Sequence, residues 1–246
     1  MKKILVCVAL LTTAMSVNAQ KFKLGLGGGF NSTWLMNKNV FDADDNLDIA
    51  MTFGGSFGLK AQYYFNDKVG LELGVMTSGH NQKYEGDIPG TDESYEVKDK
   101  LRYLDVPLLL RLGGDKGGYF EFGPQFGFLS KVTEDGSAAG LSYDDEDVKN
   151  SFNSTNVAAV VGFGVDVDAS EHFTITAGLR LGYSFTDVTK EYDGGDFGDD
   201  DISLATSAAH VNDKGNLDYK STGRLFGGLH LGILYTIPTG TKAEAK

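Results

Sequence analysis

The sequence predicts a single all-β domain, an eight-stranded antiparallel transmembrane β-barrel, and three observations carry that expectation. Eight runs alternate apolar and non-apolar residues with the period of two that sends successive side chains to opposite faces of a strand. Their connections alternate too, a tight turn at one end being followed by a long acidic segment at the other. The non-apolar face is mostly Gly, Ser and Thr with isolated charges, which suits a crowded lumen better than a surface in water.

Before the first strand, Lys2 and Lys3 precede a short apolar run over residues 4–14, and Val17, Asn18 and Ala19 supply a small-residue cleavage pattern. Residues 1–19 therefore read as a signal peptide, with the mature chain starting at Gln20. That run is well short of the roughly 20 residues a membrane-crossing helix needs. Cys7, the only cysteine, lies inside it, which leaves the mature part without a disulfide, a thiolate metal site or a cysteine at the cleavage point for lipid attachment. The barrel is expected over residues 20–240, followed by a polar tail over residues 241–246.

The first strand is expected over residues 21–34, with Phe22, Leu24, Leu26 and Phe30 on the apolar face. The second covers 51–65, aligning Phe53, Phe57, Leu59 and Tyr63; the third covers 69–78, aligning Leu71, Leu73 and Val75. In the fourth, 101–112, Leu104, Val106, Leu108 and Leu110 stand opposite Tyr103, Asp105, Leu109 and Arg111. The fifth, 119–130, sets Phe120, Phe122, Phe126 and Phe128 against Glu121, Gly123, Gln125 and Gly127. The last three, 156–167, 173–185 and 224–237, repeat the pattern with Val161 and Phe163, Leu179 and Leu181, and Leu229 and Leu231. An abundance of Phe and Tyr, 16 and 11, and only 4 Pro fit such strands.

Turns at 66–68, around 115–116 and around 169–171 are short, whereas segments 36–48, 80–100, 131–156 and 187–222 are long and hold 25 of the 34 acidic residues. Short turns on one side and long loops on the other, with an even strand count, are the pattern of an outer-membrane barrel, short turns facing the periplasm. A soluble barrel with an apolar interior is the formal competitor, but its outer face would carry many more Lys, Glu and Thr. A net charge of −12 excludes a nucleic-acid role, which needs clustered Lys and Arg.

Two stretches add a resemblance. Tyr103-Leu104-Asp105-Val106-Pro107-Leu108-Leu109-Leu110-Arg111 and Phe120-Glu121-Phe122-Gly123-Pro124-Gln125-Phe126-Gly127-Phe128-Leu129 resemble segments of the PorT-like outer-membrane β-barrel proteins of Bacteroidota. The resemblance implies an outer-membrane location and an eight-stranded barrel, and it suggests an accessory of a secretion or gliding apparatus. Relatives commonly end in an aromatic residue, whereas this sequence runs on past Tyr235 and Ile237 into its polar tail.

On the lumen face the register places Lys60, Glu72, Asp105, Arg111, Glu121, Asp166 and Arg180, and buried charges need partners, so an internal ionic network is expected, with Arg111 and Arg180 pairing to Glu72 and Glu121. A proton or ion path is the functional alternative, disfavoured by the narrow bore of eight strands. Asp193, Asp196, Asp199, Asp200 and Asp201 form a carboxylate-rich stretch of the kind Ca²⁺ prefers, without EF-hand spacing, and Asp144, Asp145, Glu146 and Asp147 form a second acidic run. His80 with Asp105 could act as a base and its orienter, yet nothing nominates a nucleophile. No cofactor motif is present. The expected function is a non-enzymatic barrel with acidic surface loops, structural, adhesive or partner-binding; the alternatives are a secretion or gliding accessory, and a narrow pore or rim-site enzyme. Its expected partners are outer-membrane lipid and lipopolysaccharide, with surface or secretion-system proteins beyond them.

Overall fold

The computed structural model describes residues 21–43, 47–88, 90–114, 116–192, 202–212 and 215–238. Eight long strands close into a ring: β1 (Lys21–Met36), β3 (Phe53–Tyr64), β4 (Val69–Asp87), β5 (Ser94–Gly113), β6 (Gly118–Ala138), β8 (Thr155–Asp168), β9 (Phe173–Ser184) and β10 (Gly223–Ile237). Each pairs antiparallel with its ring neighbours, and β1 closes on β10 from Phe22 opposite Ile237 to Met36 opposite Gly223. Closure leaves the spanning strands without a free edge, so backbone groups are satisfied within the ring, as lipid requires. Two short strands, β2 (Asp48–Ala50) and β7 (Leu141–Asp147), were not foreseen; they add to β4 and β6 at the long-loop end.

The alternation decides the two faces. Leu26, Phe30, Phe57, Leu59, Leu73, Leu104, Phe122, Phe163, Leu181 and Leu231 all point outward and are exposed, an apolar belt that only lipid can cover. Aromatic pairs sit toward its two borders: Phe30 stacks on Phe53 with centroids 5.0 Å apart, and Phe173 meets Tyr235 edge-on at 5.3 Å near the short turns. Those turns are held by side chains as well as backbone. Asn66 Oδ1 accepts from the amides of Lys68 and Val69, both at 2.8 Å, and Ser170 Oγ accepts from the amide of Phe173 at 3.1 Å.

At the long-loop end the expected boundaries need correction. β4, β5 and β6 run seven to nine residues beyond the expected ends at 78, 101 and 130, because their upper parts pair in register from His80 opposite Leu101 to Asp87 opposite Ser94, and from Leu101 opposite Val132 to Tyr95 opposite Ala138. Most of what reads as an acidic loop over 80–100 is a β-hairpin.

Above the belt the loops fold over the barrel mouth. Helix α1 (Lys38–Phe41) and helix α2 (Leu204–His210) carry part of this cap. Val40, Val148, Phe152, Val188, Ala205 and Ala208 from three of the long segments pack on Leu35, Tyr84, Leu101, Tyr103, Leu129 and Val132 from the strands. Asn39 Nδ2 donates to the carbonyls of Ala209 (3.0 Å) and Asp218 (2.9 Å), tying the first loop to the last, while Asn37 caps α1 and donates to the Lys220 carbonyl at 2.7 Å. Within the segment 187–222, Val188, Thr189, Ser203 and Thr206 are buried in the cap, all at 0% exposure.

Candidate functional site

Inside the belt the lumen is filled by charge. Strands β3, β4, β5, β6, β8 and β9 each send long polar side chains inward, and glycines opposite them make the room. A Cβ on Gly27 would stand 2.6 Å from Lys60 Cδ, and one on Gly162 would stand 2.9 Å from Glu121 Oε1. Arg180 reaches Glu121 Oε1 at 2.5 Å and Glu72 Oε1 at 2.6 Å. Arg111 contacts Asp166 at 3.0 Å, Glu72 at 3.4 Å and, as an ionic contact too long for a hydrogen bond, Glu121 at 3.6 Å. Lys60 Nζ lies 3.2 Å from Glu72, and Gln62 donates to the same carboxylate at 2.7 Å. The Arg111 guanidinium also stacks on Tyr119 at 3.7 Å. Three cations thus face three carboxylates in a layer near the short turns, as charges removed from water must.

Asp105 does not join them, a correction to the single network expected. It sits six residues up β5 from Arg111, roughly 20 Å along the strand at about 3.3 Å per residue. There its Oδ2 is 2.9 Å from His80 Nε2, and its Oδ1 lies 3.8 Å from Arg224. His80 Nδ1 in turn meets Thr33 Oγ1 at 3.0 Å, so a hydroxyl, an imidazole and a carboxylate stand in line. This is the order of a nucleophile, base and orienter, but all three residues are buried beneath the cap. A small cavity of about 70 Å³ lies between the two charged layers, lined by His80, Asp105, Gln125, Arg180, Phe226 and His230.

Two residues of the site were not foreseen. Arg224 begins β10, where the alternation reads as a strand boundary, yet it is fully buried and stacks over Tyr103 at 4.3 Å. His230 faces the lumen with its ring nitrogens 2.9 and 3.0 Å from Lys60 Nζ. Its position on the same face as the small residues Gly228 and Gly232 was the available signal. Glu72, Glu121 and His230 cluster closely enough to offer a metal three donors, but Arg180 contacts Oε1 of both carboxylates and Lys60 Oε1 of Glu72, so cations already stand in the cluster. The five carboxylates from Asp193 to Asp201, read as a possible Ca²⁺ site, lie outside the described residues, as do residues 1–19, read as a signal peptide, and the tail at 241–246. The acidic run at 144–147 forms exposed strand β7.

Above the membrane belt a second carboxylate arrangement holds the cap. Asp99 and Glu134 are directly opposite on β5 and β6, both inward and buried. Glu134 accepts from Tyr143 Oη at 2.6 Å and from the amide of Leu204 at 2.7 Å, which fastens α2. Burial pushes the Asp99 carboxyl well above its ordinary range, and the facing Glu134 charge pushes the same way.

A closed ring of eight strands, an outer belt of apolar side chains and a lumen of paired charges together define an integral outer-membrane β-barrel. Residues 18–190 match the family model described as "Outer membrane protein beta-barrel domain", and the chain belongs to that family. No curated protein matches the sequence. Among solved structures it is similar to Neisserial surface protein A (12% identity, TM-score 0.38, covering 88% of this chain and 97% of that one). It is also similar to OprG from Pseudomonas aeruginosa (15% identity, TM-score 0.37, 89% and 96%) and to AlkL in lipid bilayers (14%, 0.45, 93% and 95%).

Proposed function

We propose that this is a sealed, non-enzymatic barrel of the outer membrane whose folded acidic cap serves as a contact surface for partners outside the cell. The observation that carries the reading is the lumen itself: Glu72, Glu121 and Arg111 are at most 1% exposed and are spanned by Arg180, which leaves no bore for a solute, and the cap covers the mouth above them. The burial of Thr33, His80 and Asp105 supports structure rather than turnover. In planar bilayers the refolded protein is expected to give no unitary conductance steps, and stable steps would refute the sealed reading.

A second reading, an accessory of a secretion or gliding machine, has its own support in the PorT-like stretches at 103–111 and 120–129, which form the central parts of β5 and β6. Secreted-protein profiles of a deletion strain separate the two: an unchanged profile favours the surface role, and a selective loss of exported proteins favours the machine.

A further inference from the structure

We infer that Arg102 on β5 and Lys131 on β6 form a seat for the phosphate of an outer-leaflet lipid headgroup, on the outer wall of the barrel just above the apolar belt. Both side chains are exposed, and the residues below them on the same outer faces are Leu104 and Phe128, the top of the lipid-facing rows. Their height therefore places them where acyl chains give way to headgroups.

Two cations higher on this wall are held by acids, while Lys98 between them has no ion pair among the described residues. Lys83 is held by Glu96 (2.7 Å) and Glu85 (3.3 Å), and Lys100 by Asp135 (2.5 Å) and Asp145 (3.2 Å). Arg102 and Lys131 have no ion pair among the described residues, in a protein with 34 acidic and only 22 basic side chains. The acids that neutralise the upper cations stop short of the belt.

The backbone is bent to bring the two together. The β5–β6 register slips between Arg102 and Tyr103, Arg102 facing Lys131 while Tyr103 faces Leu129, so Ser130 is an extra residue in β6. Such a bulge re-aims the side chains that follow it. Here it leaves both Ser130 and Lys131 exposed and sets Lys131 opposite Arg102, and Ser130 Oγ fixes the kink by donating to the Arg102 carbonyl at 2.9 Å. On the other side Arg102 faces Gly79 of β4, where a Cβ would stand 2.5 Å from a guanidinium nitrogen. The missing side chain lets the guanidinium lie across the sheet.

A guanidinium and an ammonium at facing positions of neighbouring strands can hold one phosphate, the first supplying paired hydrogen bonds and the second a point charge. The occupant is a lipid rather than a free anion because the seat adjoins Leu104 and Phe128, against which the acyl chains of the same molecule would lie. The inference rests on the orientation of the barrel and is independent of what the cap binds.

The test uses the mature protein refolded in detergent, folding being checked by the different gel mobility of boiled and unboiled samples. It is titrated with phosphorylated lipid A and with the same lipid stripped of phosphate, and binding is read by native mass spectrometry. The phosphorylated lipid is expected to bind selectively, with Arg102→Gln and Lys131→Gln each weakening it roughly fivefold, the contribution of one cation near an anionic membrane surface. Lys116→Gln, at a short turn on the opposite end, should leave it unchanged. Equal binding of the stripped lipid by the unaltered protein, full affinity in both variants, or displacement by equimolar inorganic phosphate would overturn the inference.

Discussion

At the scale of single residues, the outer and inner faces of one strand obey different physics. Leu108 points to lipid and its neighbour Leu109 is fully buried in the lumen. Leu108→Arg is expected to destabilise the inserted barrel by about 2–4 kcal/mol, the cost of a cation near the bilayer midplane. Denaturant unfolding in bilayers of increasing thickness should show that cost growing, whereas Leu109→Arg, which overcrowds the interior, should respond little to thickness. Glu72 is the opposite case, a charge whose removal is worse than its presence. It is shared by Lys60, Arg111 and Arg180, so Glu72→Gln strands buried cations and should cost about 3–5 kcal/mol in the same unfolding assay. A stability within 1 kcal/mol of the parent, the kind of change a surface site gives, would show that the layer is hydrated.

Four members of that layer, Glu72, Arg111, Glu121 and Arg180, are legible in the sequence because each occupies the non-apolar phase of a clear period-two run. Arg224 is not, since it precedes the first apolar residue of its run and looks like an end. Asp105 is legible as a lumen residue but not as a member of a separate upper layer, because alternation gives the face and says little about height or partner.

At the scale of elements, the membrane-crossing parts of the strands follow from alternation, while their upper parts do not. Over β4 the inward residues His80, Gln82 and Tyr84 alternate with outward Asn81, Lys83 and Glu85, so both faces are largely polar and the pattern fades where the strand continues. The cap is hidden for a related reason. Its core takes one to three apolar residues from each of three loops, and scattered residues such as Val40, Val148 and Val188 have no period.

The buried Asp99 and Glu134 pair makes the cap sensitive to pH. A carboxyl whose pKa is raised on folding binds its proton more tightly in the folded state, so its contribution is fully present below the unfolded carboxylate range and is lost as pH rises through the raised value. Hydrogen exchange at the α2 amides, corrected for the intrinsic pH dependence of exchange, is therefore expected to quicken as pH is raised above the ordinary carboxylate range. Asp99→Asn keeps a hydrogen-bond donor facing Glu134 without a titrating proton and should flatten that dependence. An unchanged pH profile in Asp99→Asn would place the sensitivity elsewhere.

At the scale of the whole molecule, short turns at one end and long segments folded into a cap at the other are expected to place the turns in the periplasm and the cap outside. A folded cap also changes what protease should do on intact cells: cleavage within 202–212 should be slow, because α2 is buried against the strand ends. Rapid cleavage inside α2 would mean that the cap opens readily.

The orientation itself is tested most directly by chemical labelling, since the one cysteine of the sequence, Cys7, lies before the first strand in the segment read as a signal peptide. Leu141→Cys, at the tip between β6 and β7 where the native side chain is 78% exposed, and Asp67→Cys, in the turn between β3 and β4, are treated on whole cells with a membrane-impermeant maleimide. The account predicts labelling of Leu141→Cys on intact cells, and of Asp67→Cys only after the outer membrane is permeabilised. Labelling of Asp67→Cys alone on intact cells would invert the barrel and remove the cap from the cell surface.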